Sequence, residues 1–375
     1  MSWVRFGAAP ERILRAALRK NHSLRHQLRL AALGTSHATR SGNSYHAALC
    51  TELNKPLVVQ QLPSAVLKPT EVRYRKSWVR VDIHCCGVNF ADILVCQGLY
   101  QERWPTPFTP GMEFAGCVVE IGTSVTTVQK GERVVGVSFK GAMAEECIID
   151  QKMLWPIRAE LPYEVAASIP VSYGTAILAL EHRAHTQPGE TVLVTAAAGA
   201  AGLAAVDIAS HVLNAQVIAA VGSDEKCDLA VQRGAIAAIN YTTQSLKEEV
   251  KRLTANKGVN VVFDAVGGDI FKEALSSLSW EGRILVVGFA GGKIPSVPAN
   301  LLLLKNIAVK GVYWGKYGQR CFPVFSRSIG SAIQYAQEGR TKPLIGAIYK
   351  MQQVNEAFEH VLQRKSTGKV IIAMK

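Results

Sequence analysis

The chain has 375 residues, of which 48% are hydrophobic and 19% charged, and these values are typical of a folded protein with room for two packed domains. The 8 cysteines are too few for a small disulfide scaffold and indicate a reducing compartment. No run of about 18 apolar residues lacks a charged, polar or glycine break, so the sequence predicts no membrane-spanning helix. The formal net charge is +13, and more than half of this excess lies in the first 46 residues.

The first 46 residues form a basic leader in which Glu11 is the single acid. Arg12, Arg15 and Arg19 recur at spacings of three and four while apolar residues fill the rest of the surface, which predicts a basic amphipathic helix. An arginine-rich, acid-poor leader without a continuous apolar core is typical of a mitochondrial presequence. We therefore expect residues 1–46 to be a presequence and the protein to reside in the mitochondrial matrix. The alternative is a basic tail on a cytosolic protein.

The first half of the mature chain has the texture of a β domain. From Leu57 to about Asp150, short β-type runs alternate with polar residues and are separated by turn residues. The pattern indicates a barrel or a folded sheet. Its predicted strands are Trp78–Ile83, Phe114–Ile121, Arg133–Val137 and Glu145–Ile149.

The middle of the chain, from about Tyr163 to Ala290, changes to apolar strands that alternate with helices of about ten or more residues. Such alternation predicts a parallel sheet that is covered by helices on both faces. The predicted strands are Thr191–Thr195, Gln216–Val221, Ala237–Asn240, Val259–Phe263 and Arg283–Val287.

The last part of the chain, after Gly292, has mixed texture and no obvious core of its own. It contains a predicted strand, Ile307–Val312, a helix from Pro323 to Gln337, and a closing strand, Lys369–Ala373. We expect this segment to join the N-terminal β domain. The predicted fold class is therefore α/β, with a mostly-β domain interrupted by an inserted, doubly wound domain.

A turn of small residues follows the first strand of the inserted domain. The chain reads Thr195-Ala-Ala-Ala-Gly199-Ala-Ala-Gly202 and then opens an apolar helix. Because glycine has no side chain and alanine only a methyl group, the chain can turn tightly here, and a diphosphate can approach the N–H groups at the helix start. The alternative is a packing turn without a ligand. The residues predicted to bind the diphosphate of a dinucleotide are Ala198, Gly199, Ala200, Ala201 and Gly202.

The end of the second strand bears on the choice of coenzyme. A site for NADH normally places an acidic side chain on the ribose here, whereas this chain reads Ala220-Val-Gly-Ser223-Asp224-Glu-Lys226. Ser223 and Lys226, with Tyr241 at the end of the third strand, are predicted to contact a 2′-phosphate, which favours NADPH over NADH. Asp224 is the counter-argument, because its carboxylate would repel that phosphate. The alternative for Lys226 is a solvated helix residue.

Several longer motifs occur along the mature chain. They are Cys86-Gly-Val-Asn89-Phe-Ala-Asp92, Gln97-Gly98-Leu-Tyr100, Pro107-Phe-Thr-Pro110-Gly111-Met-Glu113-Phe-Ala-Gly116, Gly131-Glu-Arg133, Tyr173-Gly-Thr175, Phe263-Asp264-Ala-Val-Gly267-Gly268, Gly282-Arg283 and Gly368-Lys369-Val. With these motifs in this order, the chain from Leu57 to Lys375 resembles the quinone oxidoreductase branch of the zinc-type alcohol dehydrogenase, or medium-chain dehydrogenase/reductase, superfamily.

The resemblance implies a fold and an assembly. It implies a GroES-like catalytic domain with an inserted Rossmann domain, with the nicotinamide in the cleft between them, and a homodimer. The expected segments are a presequence at 1–46, the first part of the GroES-like domain at 47–168, the Rossmann domain at 169–308 and a return segment of the catalytic domain at 309–375.

Zinc-containing members of the superfamily bind a catalytic metal through two cysteines and a histidine. The matching positions of this chain are Asn89, Met112 and approximately 170–171, and they supply no such ligands. The run of cysteines that holds a structural zinc ion is also missing from the sequence. We therefore expect no metal. The residues assigned to packing instead are His84, Cys85, Cys86 and Cys96.

Without a metal, hydride transfer to a quinone or an α,β-unsaturated carbonyl needs hydrogen-bond donors beside the oxygen that gains charge. The resemblance places Asn89 and Tyr100 in the wall of the substrate cleft, which makes them the candidate catalytic residues. The amide and the phenol would stabilise that oxygen, and Tyr100 or solvent would supply the proton. The alternatives are a helix cap for Asn89 and loop packing for Tyr100. Asp92 is expected to bind backbone N–H groups rather than to act as a base.

The resemblance also places three residues beside the nicotinamide. Thr175 is expected on one side, and Gly288 and Phe289, at the tip of the last Rossmann strand, on the other. The alternative for Thr175 is packing within its helix. Leu94 and Cys96 stand where some quinone reductases have a tyrosine and an arginine, so the cleft is expected to be more apolar.

Two functions remain. The first is a zinc-independent, NADPH-dependent oxidoreductase that acts on a small-molecule quinone or α,β-unsaturated carbonyl. The second is a dinucleotide-binding protein with little catalytic activity whose role is interaction, for example with RNA, since bases still outnumber acids beyond the leader. Neither function involves insertion into a membrane.

Overall fold

The computed structural model describes residues 44–64 and 76–375, which belong to one compact unit, Ser44–Lys375. Of the predicted presequence, 1–46, only the last three residues are described, and they begin the first strand. A boundary after residue 46 would cut through this strand, so the folded unit starts slightly earlier than the sequence predicts. The rest of that prediction lies outside the described residues.

In the middle of the described chain, from Thr191 to Gly311, each strand is followed by a helix. They are β1 (Ser44–Leu49), β2 (Val58–Pro63), β3 (Trp78–Val88), β4 (Glu113–Ile121), β5 (Arg133–Val137), β6 (Glu146–Asp150), β7 (Leu154–Pro156), β8 (Thr191–Thr195), β9 (Gln216–Val221), β10 (Ala237–Asn240), β11 (Val259–Asp264), β12 (Leu278–Val286), β13 (Ala308–Gly311), β14 (Ile345–Lys350) and β15 (Lys369–Ala373).

Most helices of the same residues lie between β7 and β14. They are α1 (Phe90–Cys96), α2 (Tyr163–Ala167), α3 (Pro170–Ile177), α4 (Ala200–Asp207), α5 (Asp224–Gln232), α6 (Leu246–Leu253), α7 (Gly268–Ser276), α8 (Ala299–Lys305), α9 (Trp314–Arg320), α10 (Phe322–Gln337) and α11 (Val354–Leu362). Helices α3 and α4 continue as wider turns, Leu178–Arg183 and Ile208–Val212, and short 3₁₀ turns occur at Gln151–Met153 and Met351–Gln353.

The mostly-β part is a seven-stranded sheet in the order β14-β15-β3-β4-β5-β7, with β6 also paired to β3. Val79, Val81 and Ile83 are fully buried on one face of β3, as the alternating pattern predicts. The strand continues past the predicted end to Val88, because its last residues pair with β15. This pairing brings the C-terminal strand beside the segment that carries α1.

The inserted part is a six-stranded parallel sheet in the order β10-β9-β8-β11-β12-β13. The predicted limits of β8, β9 and β10 agree with the structure, because strands buried on both faces are continuous apolar runs. The strand order reverses between β8 and β11. In doubly wound sheets the carboxyl end of the strands at this reversal is where nucleotides bind.

The return segment differs from the prediction at its start. The sequence places 309–375 in the catalytic β domain, whereas β13 pairs in parallel with β12 and completes the six-stranded sheet. Only β14 and β15 of this segment enter the seven-stranded sheet. A short apolar strand carries no local signal of the sheet that it will join, and here the backbone groups at the open edge of β12 provide its partner.

Among the helices of residues 44–64 and 76–375, none combines the length and the apolar character that crossing a membrane requires.

Candidate active site

The turn between β8 and α4, residues 195–202, has the bare backbone that the sequence predicts. Ala196 has a positive φ of 50°, and Gly199 precedes the helix in an extended conformation. A Cβ at Gly202 would overlap the Ala196 carbonyl oxygen, so only glycine lets the helix pack this closely on the turn. A Cβ at Gly199 would meet a single atom, that same oxygen, at 3.4 Å. The surface over Gly199 is therefore open, beside helix N–H groups that lack partners within the helix.

Two neighbouring strands hold this turn in place. Thr195 donates a hydrogen bond to Oδ1 of buried Asp264 at 2.8 Å, and the Asp264 carboxylate also accepts the Gly267 N–H at 3.0 Å. Burial raises the pKa of Asp264, while these hydrogen bonds oppose the increase. From the other side, the Gly368 N–H donates to the Ala198 carbonyl oxygen at 2.9 Å. The C-terminal strand of the catalytic domain thus begins against the nucleotide turn.

The predicted ribose contacts lie together at the end of β9. Ser223 is the N-cap of α5 and accepts the Lys226 N–H at 3.4 Å, and the hydroxyl of Tyr241 approaches Gly222. The Lys226 ammonium donates to the backbone oxygen of Arg364 at 2.8 Å. Burial lowers the pKa of Lys226.

Two findings at this edge go beyond the sequence prediction. Asp224, the counter-argument to NADPH, accepts a hydrogen bond from the Asn240 side chain at 2.8 Å, so its carboxylate is already engaged. Arg364 was not predicted. Its guanidinium donates to the Ala290 backbone oxygen at 3.1 Å, and its charge lowers the pKa of Tyr241, which burial raises. The only sequence signal is a pair of basic residues shortly before the Gly368 motif, and nothing local connects it to β9.

The residues predicted beside the nicotinamide occupy the expected elements. Thr175 lies on α3 and is 9% exposed. Gly288 and Phe289 directly follow β12, and the Gly288 N–H points to the Asp264 backbone oxygen at 3.4 Å. Gly288 and Phe289 thus lie at the same end of the sheet as the nucleotide turn, and the contacts of all three residues with a coenzyme remain a prediction.

A buried ion pair lies where a catalytic metal would be expected from the resemblance. The Lys369 ammonium is 2.5 Å from Oε1 of Glu113, and the two side chains are 3% and 0% exposed. Lys369 also donates to Oδ1 of Asn89 at 2.8 Å, while Nδ2 of Asn89 donates to the Glu113 carboxylate at 2.9 Å. The other carboxylate oxygen of Glu113 accepts the Val171 N–H at 2.8 Å. Sequence reasoning missed both charged residues, although each lies within a motif of the resemblance.

The donor set at this position does not suit a zinc ion. Asn89 and Met112 are poor zinc ligands, and both oxygens of the one carboxylate, on Glu113, are already bound by Lys369 and by a backbone N–H. A lysine ammonium within bonding distance of that carboxylate would repel a cation. Throughout the described ranges, 44–64 and 76–375, no group of three His, Cys, Asp or Glu side chains could hold a metal ion.

The two candidate catalytic residues lie at the ends of the segment that carries α1. Asn89 is the N-cap residue of α1, and its backbone N–H donates to Asp92 at 2.9 Å, while its side-chain amide is part of the ion network. Asp92 also accepts the Gly111 N–H at 3.2 Å, which confirms its predicted backbone role. Tyr100 packs beside the core of the β domain and bonds to the hydroxyl of Tyr313, and burial raises its pKa.

Comparison with known proteins agrees with this architecture. The profile of the alcohol dehydrogenase GroES-like domain matches residues 75–159, and that of the zinc-binding dehydrogenases matches residues 200–330. Quinone oxidoreductase-like protein 2 of Bos taurus is 61% identical over 334 residues, which cover 89% of this chain and 94% of the bovine protein.

Solved structures give the same result. The quinone oxidoreductase of Thermus thermophilus, described also as its complex with NADPH, is 31% identical with a TM-score of 0.75, covering 88% of this chain and 100% of that chain. A mycobacterial protein complexed with NADPH is 28% identical with a TM-score of 0.79 and the same coverage. The predicted GroES-like domain with an inserted Rossmann domain is confirmed, and the chain belongs to the quinone oxidoreductase branch of the medium-chain dehydrogenase/reductase superfamily.

Proposed function

We propose that the protein is a zinc-independent, NADPH-dependent oxidoreductase that transfers a hydride to a quinone or an α,β-unsaturated carbonyl. The observation that carries this proposal is the junction of Gly368 and Lys369. Gly368 pairs with the nucleotide turn through its backbone N–H, and the Lys369 ammonium holds the Asn89 amide. Two adjacent residues thus position both the turn that would bind the diphosphate and a hydrogen-bond donor for the substrate that accepts the hydride.

The charges at the end of β9 favour NADPH over NADH. Lys226 and Arg364 bring two cations to this edge, while the Asp224 carboxylate keeps its negative charge but is held by a hydrogen bond from the Asn240 side chain. A phosphate carries about 1.5 to 2 negative charges at neutral pH, so the cations would favour the phosphorylated coenzyme. The Thermus and mycobacterial relatives, whose structures contain NADPH, support the same choice.

Bound NADPH would supply the hydride, and the side chains of the cleft would supply hydrogen bonds and a proton. Nδ2 of Asn89 uses one hydrogen on Glu113, while its other contact, to the Gly87 backbone oxygen, is long at 3.5 Å. That second hydrogen can stabilise the acceptor's oxygen as it gains negative charge. Tyr100 can supply the proton because a phenol, with an ordinary pKa of about 10, is protonated at neutral pH, and burial raises the pKa of Tyr100 above this value.

Zinc independence is supported by the chemistry of the metal position. An ammonium, that of Lys369, provides positive charge there without a vacant coordination site, and the neighbouring groups are an amide and a thioether. A catalytic zinc ion instead requires three protein ligands, normally imidazole, thiolate or carboxylate groups, with one open position. Adding a chelator to the purified full chain should leave activity unchanged, whereas stoichiometric zinc in the protein would contradict the proposal.

The activity is tested by NADPH oxidation with the full chain and a panel of quinones and 2-alkenals. We expect turnover with at least one acceptor class and a lower KM for NADPH than for NADH. Binding of NADPH without turnover of any acceptor would contradict the enzymatic proposal. It would favour the interaction role, which predicts a salt-sensitive RNA affinity that NADPH weakens.

We also propose that the protein is a homodimer that uses the edge of the six-stranded sheet. β13 is the last strand of this sheet within the described residues, and Leu303 and Leu304 of the preceding helix are 78% and 68% exposed. An open edge beside exposed leucines is typical of a surface that pairs with another strand. The double substitution Leu303→Glu/Leu304→Glu should shift the protein to a monomer in sedimentation. Ile348→Glu, at an exposed position of β14, is the control; an unchanged dimer in the double variant would contradict the proposal.

The mitochondrial location is a further proposal, supported by the basic amphipathic leader. A full chain fused at its C-terminus to a fluorescent protein should enter mitochondria. Replacement of Arg12, Arg15 and Arg19 by glutamate should leave it in the cytosol. Mitochondrial import of this variant would contradict the proposal.

A further inference from the structure

The Lys369 ammonium holds the Asn89 amide, but why this position carries a buried ion pair of Lys369 and Glu113 has not yet been explained. Burying two charges carries a large desolvation penalty that their attraction only partly offsets, so such a pair is weak evidence of a stabilising role. The pair is also closely packed, since a Cβ at Gly87 would lie 2.6 Å from the Glu113 carboxylate and 2.8 Å from Cε of Lys369. The informative feature is therefore the contact that both charged groups share, which is with the Asn89 amide.

An asparagine amide has two different ends, and the ion pair distinguishes them. A lysine ammonium can only donate hydrogen bonds, and an ionised carboxylate can only accept them. Oδ1 of Asn89 therefore faces Lys369, at 2.8 Å, and Nδ2 faces Glu113, at 2.9 Å. A flipped amide would place NH₂ against the ammonium and the oxygen against the carboxylate. The two charges together thus allow one orientation of this side chain.

The allowed orientation is the one that presents a hydrogen-bond donor to the substrate that accepts the hydride. With Nδ2 beside Glu113, a second N–H hydrogen remains, since its other protein contact is 3.5 Å long and Asn89 is only partly buried. With the amide flipped, an oxygen would occupy this position and repel the negative charge that develops on a reduced carbonyl. The orientation of Asn89 therefore decides whether it helps or hinders the reaction.

The same lysine directly follows a residue that contacts the predicted coenzyme-binding turn. Its preceding residue, Gly368, donates to Ala198 of the nucleotide turn, and the Lys369 backbone N–H donates to the Leu344 oxygen at 2.8 Å. Its ammonium also reaches the hydroxyl of Ser172 on α3, at 3.4 Å. Gly368 thus fixes the start of β15 against the nucleotide turn, while the Lys369 side chain extends to Asn89 and Glu113 of the catalytic domain.

We propose that Lys369 is a positioning residue that acts through Asn89: together with Glu113 it fixes the amide with its N–H toward the acceptor and in register with the nucleotide turn. The catalytic part of this inference rests on the proposed function. The orientation of the amide does not, and it can be measured without turnover.

The test compares Lys369→Met/Glu113→Gln with the wild-type full chain. Removing both charges avoids an uncompensated buried ion, which the single substitution Lys369→Met would leave. Without the charges the amide loses its preferred orientation. We expect kcat to fall tenfold or more, approaching at most the roughly 10²- to 10³-fold loss that follows removal of an oxyanion donor. The dissociation constant of NADPH, measured by fluorescence, should change by less than about threefold, which is well below 1.4 kcal/mol.

A second readout follows the amide directly. In protein labelled with ¹⁵N-asparagine, the Asn89 NH₂ signal is identified by its loss in Asn89→Ala, and it should shift or broaden in the double variant. Lys375→Met, which removes an exposed ammonium 2.5 Å from Asp82, is the matched control and should leave both readouts unchanged. An unmoved amide signal with wild-type kcat would overturn the inference, and so would an equal loss of NADPH affinity, which would assign Lys369 to the coenzyme site.

The proposed function and the positioning role of Lys369 can be contradicted independently of each other. A wild-type protein that binds NADPH but reduces no acceptor would contradict the proposed function, and the amide signal would still decide the orientation. Normal turnover with an unchanged amide signal in the double variant would leave the proposed function intact and overturn the role of Lys369.

Discussion

The Tyr313 hydroxyl donates a hydrogen bond to Oε1 of Glu102 across 3.2 Å and so joins the segment after β13 to the loop after α1. The same hydroxyl bonds to Tyr100, whose phenol is the candidate proton donor. Tyr313 is 40% exposed, and Lys316 lies 3.7 Å from the Glu102 carboxylate at the surface. A continuous polar path therefore runs from the half-buried Tyr100 to solvent.

Tyr313→Phe should interrupt this path. Reprotonation of Tyr100 between turnovers would slow. We expect kcat for an enone to fall about tenfold, which is less than the roughly 10²- to 10⁴-fold effect of removing the proton-transfer group itself. The hydrogen bond with Tyr313 lowers the pKa of Tyr100, because the Tyr313 hydroxyl can donate to the phenolate once Tyr100 is ionised, so its loss raises that pKa further. Because Tyr100 must be protonated to act as an acid, the alkaline limb of kcat should move to higher pH.

The measurement is the pH profile of kcat, with NADPH saturating. Tyr317→Phe is the control, because the Tyr317 ring packs edge-on against His182, at 5.7 Å, and lies outside this path. An alkaline limb that stays in place in Tyr313→Phe would separate Tyr313 from the proton donor.

Lys226→Met and Arg364→Met should each weaken the binding of NADPH more than the binding of NADH. A hydrogen bond to a charged group contributes about 1.5–3 kcal/mol, so each loss should raise the dissociation constant of NADPH roughly 10- to 100-fold. The constant for NADH should change little, because only NADPH carries the 2′-phosphate. Fluorescence titration with both coenzymes measures this. Lys365→Met changes an exposed neighbour of Arg364 and is the control; equal losses for both coenzymes would contradict 2′-phosphate recognition.

Gly199→Trp should abolish binding of either coenzyme without unfolding the protein. The space over Gly199 is open and its φ of −79° suits any residue, so the indole can project over the turn and fill the diphosphate seat. Gly202→Ala should behave differently. Its Cβ would overlap a backbone oxygen, so we expect a loss of about 1–3 kcal/mol in the free energy of unfolding.

Coenzyme titration and urea unfolding of both variants separate the two effects. NADPH binding by a folded Gly199→Trp protein would mean that the diphosphate does not bind at this turn.

The sequence predicts most of the fold because the fold depends on local patterns. Alternation predicts the buried face of β3, and continuous apolar runs predict the limits of β8, β9 and β10. Which of the two sheets β13 joins cannot be predicted in this way. Its apolar residues specify a strand, but its partner depends on which sheet edge remains open after the chain has folded.

The site was predictable only where a local motif forms it. The nucleotide turn depends on consecutive small residues, and so its position follows from the sequence. Lys369 and Glu113 lie 256 positions apart by their residue numbers, and their ion pair exists because β15 pairs with β3, next to β4. Arg364 likewise reaches β9 through the tertiary path of the C-terminal segment. No spacing rule connects residues at such separations.

Asp92 should make the stability of the protein depend on pH. Burial raises its pKa to about 7 from the ordinary value of 3.8, although backbone N–H groups of Asn89 and Gly111 oppose the increase. Between these two values the folded protein retains a proton that the unfolded chain has lost. The free energy of unfolding should therefore fall as pH rises from about 4 to about 7, by at most about 1.4 kcal/mol per pH unit.

Asp92→Asn should flatten this dependence, because the amide has no proton to lose, while its oxygen can still accept a backbone N–H. Urea unfolding of the two proteins at about pH 5 and about pH 7 measures the difference in slope. Asp228→Asn, at an exposed position of α5, should leave the wild-type slope unchanged. An equal loss of stability in the wild type and in Asp92→Asn over this interval would contradict the prediction. It would mean that the Asp92 carboxyl is already ionised in the folded protein and that another group causes the slope.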